Sequence, residues 1–279
     1  MRKLLNAGFT RLFRLKSLYI SFFLIALETI PGMVSESILV STANGMTAPF
    51  AADPYLSGNA VLATILAAVV TGNLIGSEYG FGTMRNKLAA GHKRTDIYFS
   101  NCIVSTAGTL SIIAFSNLTV FAVGLPLGVA VAETLPLQLL THLIFALVIS
   151  SLYVLIAMNI RSKSNSLTVA IILGAAILFM NVLLMQQLSE PEFVTPTEQI
   201  FNEEGIIIGE VISGDPVPNI YYAGGAKRVI METADMLLPT SAVMEYGGRF
   251  EADKAIAEIC ETIVFTAAGV LIFRKRDLK

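Results

Sequence analysis

Six long apolar stretches divide the chain, and polar or charged segments separate them. They cover about residues 18–39, 58–75, 97–125, 137–160, 166–185 and 255–273. Each approaches the roughly 20 residues that an α-helix needs to cross the hydrocarbon core of a bilayer. The pattern therefore predicts an all-α polytopic membrane protein with six transmembrane helices. Glu28 and Pro31-Gly32 interrupt the first stretch, so we expect that helix to be broken or kinked there.

A short amphipathic segment, residues 2–16, precedes the first stretch. Its apolar stripe consists of Leu5, Phe9, Leu12 and Phe13. Five basic residues occupy the rest of the segment, as is typical of an interfacial helix that lies in the headgroup plane against anionic lipid. The alternative is the n-region of a signal peptide cleaved near Ala43. The segment is long for an n-region, however, and the apolar run behind it is too long for an h-region.

The connection between the second and third stretches, residues 76–98, is rich in glycine and basic residues. We expect a short helix from Thr83 to Ala90 within it. The Thr83 hydroxyl caps the first turn, and Gly91 takes the left-handed conformation that ends the helix. A stiff helix of this kind, held between two spans, is suited to transmitting force from a soluble partner into the bilayer.

The distribution of lysine and arginine gives an orientation. Basic residues concentrate in segment 2–16, in the connection 76–98, at residues 161–163 and in the tail 274–279, whereas the first two connections on the opposite side have none. Because cytoplasmic loops carry the excess of lysine and arginine, both termini are expected in the cytoplasm. We expect a multi-pass protein of the plasma membrane, the inner membrane of a bacterium.

The last outer connection, residues 186–254, is the one sizeable region that we expect outside the bilayer. It contains twelve acidic and four basic residues. Residues 189–199 have a loop-like composition, and 203–215 have β-branched runs between glycines that are able to pair as a small hairpin. A helix is expected over Ala226–Leu238, and residues 237–246 are apolar enough to re-enter the outer leaflet. No repeat or linker indicates a second domain, so we expect residues 1–279 to form one transmembrane domain.

The composition excludes an ordinary soluble protein. The 279 residues are 54% hydrophobic and 14% charged, whereas soluble chains are about 25% charged. Cys102 and Cys260 both fall in predicted spans, and we expect them to be small buried apolar groups rather than a disulfide or a metal pair.

No segment carries the chemistry of an enzyme. The chain has no G-x-x-x-x-G-K-[ST] phosphate loop, and its two histidines, His92 and His142, have no nucleophile at a recognisable spacing. We therefore expect no catalytic residue, metal or cofactor on this chain, and no nucleic-acid partner. If ATP drives the protein, another chain must bind it.

Four ionisable residues within the spans are candidates for a substrate or proton path: Glu28, Glu258, Glu261 and His142. An intramembrane carboxylate costs several kcal/mol unless it is protonated or paired, so such groups usually face a cavity or a partner. The alternative is that they are hydrogen-bonded structural groups between helices.

The connection 76–98 also resembles a known family. The residues that carry the resemblance are Glu78, Gly82, Thr83, Arg85, Leu88, Gly91, Lys93 and Arg94. They are similar to the E-x-x-x-G-T signature of type 2 ABC exporter permeases, which lies in the first intracellular loop, and the six spans and interfacial helix match the same architecture. Asn101 departs from the pattern, since many members carry a lysine there.

The resemblance implies a function as the transmembrane half of an ATP-driven exporter. Helix 83–90 would then be the coupling helix that docks on a separate ABC ATPase, where ATP and Mg²⁺ bind. A second permease copy or a paralogue would complete the dimer. A hydrophobic or amphipathic substrate (a peptide antibiotic, lipid or drug) is expected by analogy.

Two other functions stay open. One is a proton-coupled secondary carrier that uses Glu28, Glu261 and His142, although there are no clear inverted repeats. The other is a non-transporting membrane sensor or scaffold whose acidic outer connection is the receptor surface. Dependence on ATP separates the exporter from the carrier.

Overall fold

The computed structural model describes residues 1–44, 49–160, 162–201, 207–212, 214–244 and 251–275. Its helices are α1 (Arg2–Leu12), α2 (Lys16–Asn44), α3 (Asp53–Gly80), α4 (Thr83–Ala89), α5 (Arg94–Gly124), α6 (Leu135–Asn159), α7 (Lys163–Leu188), α8 (Gly225–Met236), α9 (Ser241–Met244) and α10 (Ala252–Lys275). A 3₁₀ turn, Leu125–Leu127, follows α5. The basic residues Arg161, Arg276 and Lys279, which contribute to the predicted orientation, lie outside the described residues.

Six of these helices are long and apolar enough to cross a membrane: α2, α3, α5, α6, α7 and α10. Each contains an 18-residue window with a mean hydropathy between 1.6 and 2.6. The prediction of an all-α polytopic protein with six spans is therefore confirmed. Helix α2 continues as one helix through Pro31, so the span is not broken there, and the expected kink stays a prediction. A membrane helix accommodates the lost hydrogen bond by local adjustment and by contacts with its neighbours.

Small residues bring the central helices of the bundle together. The windows of α3 and α6 are 67% buried, whereas those of α2, α7 and α10 are 28% buried or less. The buried side of α3 includes Ala60, Ala63 and Ala67. One turn further on, Gly72 and Gly76 form a G-x-x-x-G pair against α7, where an added Cβ at Gly76 would lie 2.8 Å from the Lys163 side chain. Small residues at this spacing allow helices in a membrane to approach closely.

The packed face of α1 overlaps the predicted stripe without coinciding with it, because Leu5 and Phe9 pack partly buried against the core while other residues are fully buried. Its buried residues are Leu4, Gly8 and Leu12, and Phe13 is 56% exposed. Gly8 sets this face, because a Cβ there would lie 2.7 Å from Cγ2 of Val104 in α5. The absence of a side chain at Gly8 therefore lets α1 lie directly against the bundle.

The chain divides into two compact units, Met1–Leu178 with Leu237–Lys279, and Phe179–Met236. The second unit contains the end of α7, two antiparallel strand pairs and α8. Strand β3 (Phe193–Val194) pairs with β6 (Val217–Pro218), and β4 (Thr197–Phe201) pairs with β5 (Ile207–Ile212). The hairpin prediction was therefore only partly right: its second strand lies in the expected segment, but its first begins in residues 189–199, which were expected to be a loop.

The helix predicted over 226–238 is confirmed as α8, with bounds shifted by one or two residues. In the first unit, two short connections form a parallel pair, β1 (Phe50–Ala51) with β2 (Val129–Ala130). The apolar segment after α8 folds into α9, whose Ser241 and Val243 are buried. Residues 245 and 246 of the predicted re-entrant segment lie outside the described residues. Both cysteines are free, but Cys260 is exposed on α10 and only Cys102 is partly buried, so the expectation that both are buried is wrong for Cys260.

Candidate functional site

A buried carboxylate lies at the end of α3, directly before the short helix α4. The side chain of Glu78 is fully buried, and its Oε1 accepts hydrogen bonds from two cations. One is Nη2 of Arg11 in α1. The other is Nζ of Lys87 in α4, at 2.5 Å. One carboxylate thus links α1, α3 and α4.

The other oxygen of Glu78 faces α5. The side-chain amide of Asn101 donates to Oε2 at 3.5 Å and also contacts Sδ of Met158 in α6 at 3.2 Å. Tyr79 extends this network, because its hydroxyl donates to the backbone carbonyl of Met158 at 2.5 Å. The departure at Asn101 from the family pattern therefore coincides with a direct contact to Glu78.

The backbone of α4 begins and ends at glycines in the left-handed region. Gly82 has φ +67° and is the N-cap, and Gly91 has φ +82° just after the helix. The structure thus agrees with the expected conformation of Gly91. Thr83, however, is not the cap: it is the first helical residue, and its hydroxyl donates to the backbone carbonyl of Glu78 at 3.1 Å. The left-handed turn at Gly82 shifts the helix start by one residue.

The two faces of α4 have different environments. Met84 is buried and, with Leu88 beside it, packs against a cluster that includes Ile75, Tyr98 and Phe273. The opposite face exposes Arg85, and the neighbouring Lys93 is also exposed. Arg94 instead donates to the backbone carbonyl of Phe273 at 3.0 Å. Next to α4, Phe81 is 81% exposed.

Lys87 has an unusual environment for a lysine. Burial lowers its pKa from the ordinary 10.5, while the carboxylate of Glu78 acts in the opposite direction and Arg11 adds to the lowering. The cation is therefore held in place mainly by Glu78.

The four candidate path residues do not come together. Glu28 is exposed on α2, where Oε2 lies 3.4 Å from the hydroxyl of Thr29. Glu258 is fully buried on α10, and Glu261, three residues on, is partly buried. His142 is buried on α6 against Asn117 of α5, with 3.3 Å between Asn117 Nδ2 and His142 Nδ1. Within the described parts of the chain, no hydrogen bond or ion pair joins any two of these four.

Sequence reasoning missed three members of the Glu78 site: Arg11, Lys87 and Asn101. Arg11 was grouped with the cations that face lipid. Its position one residue before the buried Leu12 was the available signal, because it places the guanidinium at the edge of the packed face. Lys87 lies one residue from Leu88 and one turn from Thr83, so it also borders that face.

In the described residues, no group of three or more His, Cys, Asp or Glu side chains is placed to hold a metal ion.

The chain was compared with known proteins in two ways. A search of curated proteins finds no match. A family model described as "ABC-2 family transporter protein" matches residues 15–278, which is nearly the whole chain and includes Glu78, Lys87, Asn101 and all six long helices, although Arg11 lies before its first matched residue. The chain therefore belongs to the ABC-2 family of transporter proteins, and it is a membrane permease subunit of an ABC transporter.

Proposed function

We propose that the protein is the permease of an ATP-driven exporter and that an ABC ATPase docks on α4 and the residues beside it. Family membership implies association with an ABC ATPase subunit. The observation that carries the choice of docking surface is the buried Glu78 carboxylate, which ties α4 to α1, α3 and α5. A surface fixed in this way transmits displacement to the spans rather than moving alone.

The docking surface has a defined chemistry. It combines the exposed ring of Phe81 with the exposed cations of Arg85 and Lys93. The complementary surface on the ATPase is an apolar pocket with an acidic rim, because a buried aromatic anchor surrounded by charged contacts is the usual pattern of a specific interface.

Coupling follows from the same contacts. Closure of the ATPase pair pushes on α4, and Glu78 passes this movement to the end of α3 and, through Asn101, to α5. The interfacial helix α1 moves with them, because Arg11 shares Oε1 of Glu78 with Lys87. Two permease copies, identical or paralogous, tilt their spans and open a path for a hydrophobic or amphipathic substrate (a peptide antibiotic, lipid or drug) out of the cell.

The membrane and its orientation are part of this proposal. Basic residues at α1, at the α3–α5 connection and at the end of α10 favour a cytoplasmic location for both termini in the plasma membrane. The connection 186–254 then belongs to the outer side.

The test is purification of the tagged protein in mild detergent from the cells that make it, followed by an ATPase assay. We expect a nucleotide-binding subunit to co-purify with wild type and to be lost from a Phe81→Asp, Arg85→Glu variant. The matched control is Arg14→Glu, the same charge reversal on an exposed arginine outside the connection.

Three results are informative. Loss of the ATPase from the double variant alone supports the docking surface. Equal loss from Arg14→Glu shows a general effect of cytoplasmic charge and contradicts the assigned surface. If no ATPase co-purifies with wild type, ATP-driven export is refuted, and proton coupling through Glu28, Glu261 and His142 becomes the hypothesis to test.

A further inference from the structure

A pocket of about 230 Å³ lies between α5 and α6, away from the Glu78 site. Its walls include Leu110, Ile113 and Ala114 of α5, and Leu139 and Leu143 of α6. Asn117 and His142 supply its polar groups. Both polar side chains are more than nine-tenths buried, so the pocket is apolar with one polar end.

The polar pair leaves hydrogen-bonding capacity unused. Asn117 and His142 are in contact through Nδ2 and Nδ1, at 3.3 Å. The Oδ1 atom of Asn117 is buried with no partner, and Nε2 of His142 makes no hydrogen bond within the part of the chain that the structure describes. Buried polar atoms without partners are rare in folded proteins and indicate a missing water or ligand.

The contact between the two side chains fixes what a ligand must offer. If the amide N–H donates to Nδ1, the imidazole is neutral and carries its proton on Nε2, so the pair presents an Nε2–H donor and an Oδ1 acceptor. If the amide is placed the other way round, Oδ1 accepts from Nδ1–H, and the pair presents an amide donor and an Nε2 acceptor. In both orientations the pair offers one donor and one acceptor. A hydroxyl or an amide satisfies both atoms.

The pocket opens on an exposed apolar side of the membrane-spanning helices α5 and α6. Leu139 and Leu143 on its rim are 42% and 44% exposed, and Ala114 is exposed as well. No charged side chain lines it. Its volume lies below the range of about 300–1,000 Å³ that is typical of sites for drug-sized ligands. It therefore fits a small molecule or the polar end of a larger amphiphile.

We infer that the α5–α6 pocket binds, from within the membrane, hydrophobic molecules that carry one neutral hydroxyl or amide group. The hydroxyl or amide is held by Asn117 and His142, and the hydrocarbon part lies along Leu139 and Leu143. The inference does not depend on the proposed ATPase docking, because binding takes place without nucleotide or a partner subunit.

The test is photolabelling of the purified full-length chain in lipid vesicles, with two matched diazirine probes. The first is 3-azioctanol, and the second is the same diazirine chain without the hydroxyl. We expect mass spectrometry to find adducts of the alcohol probe on the residues that line the pocket. These adducts should exceed those of the hydrocarbon probe about tenfold, because only the alcohol forms hydrogen bonds with the polar pair.

Competition on the wild-type chain defines the ligand class. Octanamide and 1-oleoylglycerol should reduce labelling, whereas octane and octylammonium should not. Displacement by the glycerolipid alone assigns the site to a membrane lipid, and displacement by both extends it to free amphiphiles. Stronger displacement by octylammonium, or equal labelling by the two probes, overturns the inference.

Variants test the residues. Asn117→Leu removes the polar partner and should lower labelling by the alcohol to the level of the hydrocarbon. Ala114→Phe fills the pocket from its open side and should remove labelling by both probes without touching the polar pair. The control is Asn73→Leu, the same substitution on α3, where the side chain bonds only within its own helix. If Ala114→Phe labels like wild type, the adducts do not report this pocket and the inference is refuted. Because competition uses the wild-type chain, the test stands even if Asn117→Leu fails to fold.

Discussion

Replacing Glu78 with glutamine should release α4 from the bundle. The substitution keeps the shape of the side chain and an acceptor for Asn101, but it removes the charge that Arg11 and Lys87 share. Removing one member of a buried ion pair typically costs about 3–5 kcal/mol, because a charge is left without its partner. Here both cations retain some exposure, 33% for Arg11 and 14% for Lys87, and each is able to turn towards water. We therefore expect the lower end, about 3 kcal/mol.

The assay is thermal unfolding in detergent, followed by size-exclusion chromatography of the remaining native fraction. A loss of 1 kcal/mol lowers the Tm of a chain of this size by roughly 2–4 °C, so Glu78→Gln should lower it by about 6–12 °C. Lys87→Met should destabilise the chain less than Glu78→Gln does, because Glu78 keeps Arg11 as its partner. When Glu78→Gln is already present, adding Lys87→Met should lower the free energy of unfolding by even less, since the interaction between the two residues is already absent.

The control is Arg85→Met, which removes an exposed cation from the same helix. It should change stability by no more than about 0.5 kcal/mol, as surface substitutions usually do. A Glu78→Gln variant as stable as wild type would show that the ion cluster does not hold α4. So would an equal loss from Arg85→Met.

Three further predictions follow from the described contacts. Gly269→Ala should destabilise the chain, because its Cβ would lie 1.9 Å from the Tyr98 hydroxyl oxygen. In Gly58→Ala, on α3, the Cβ meets nothing within 4 Å, so this control should be neutral or stabilising when the Tm of the two variants is compared. Gly82→Ala and Gly91→Ala should each lower the free energy of unfolding by about 1–2 kcal/mol, because both positions have a positive φ. In thermal unfolding, Gly91→Asn should be less destabilising than Gly91→Ala, because asparagine tolerates the left-handed conformation better. Burial lowers the pKa of Lys87 below 10.5, so the folded chain holds this proton less tightly than the unfolded chain. The contribution of Lys87 to the free energy of unfolding should therefore rise as the pH approaches 10.5. Measurements of Tm between about pH 8 and 10.5 should show this rise in the wild type and not in Lys87→Met.

The six spans were predictable because their signal is local. An uninterrupted apolar length of about 20 residues has few alternatives to a membrane helix, and the left-handed end at Gly91 depends only on the residue itself. Pro31 does not break α2, because a proline removes one backbone hydrogen bond but does not end a helix supported by its neighbours.

The errors share a different cause: they depend on contacts between residues distant in sequence. The buried face of α1 is set by Gly8, which has no hydrophobic side chain and gains its place only through Val104. Arg11 resembles its neighbouring cations in sequence, and only the position of Glu78, 67 residues away, distinguishes it. Strand β4 likewise required β5 as its partner, which its own composition does not show.

The size of α4 bears on the proposed docking of an ATPase at this helix. Helices shorter than about 12 residues are marginal alone in water, and α4 has seven residues. Its position therefore depends on the Lys87–Glu78 ion pair, the Thr83 hydrogen bond and the packing of Met84. All three contacts lead to the end of α3 or to the core beside it. A partner that displaces α4 must consequently move α3 or break these contacts. Because the ion pair adds to the free energy needed to break them, movement of α3 is the favoured outcome. Under the proposed docking, a displacement of α4 is therefore transmitted to α3.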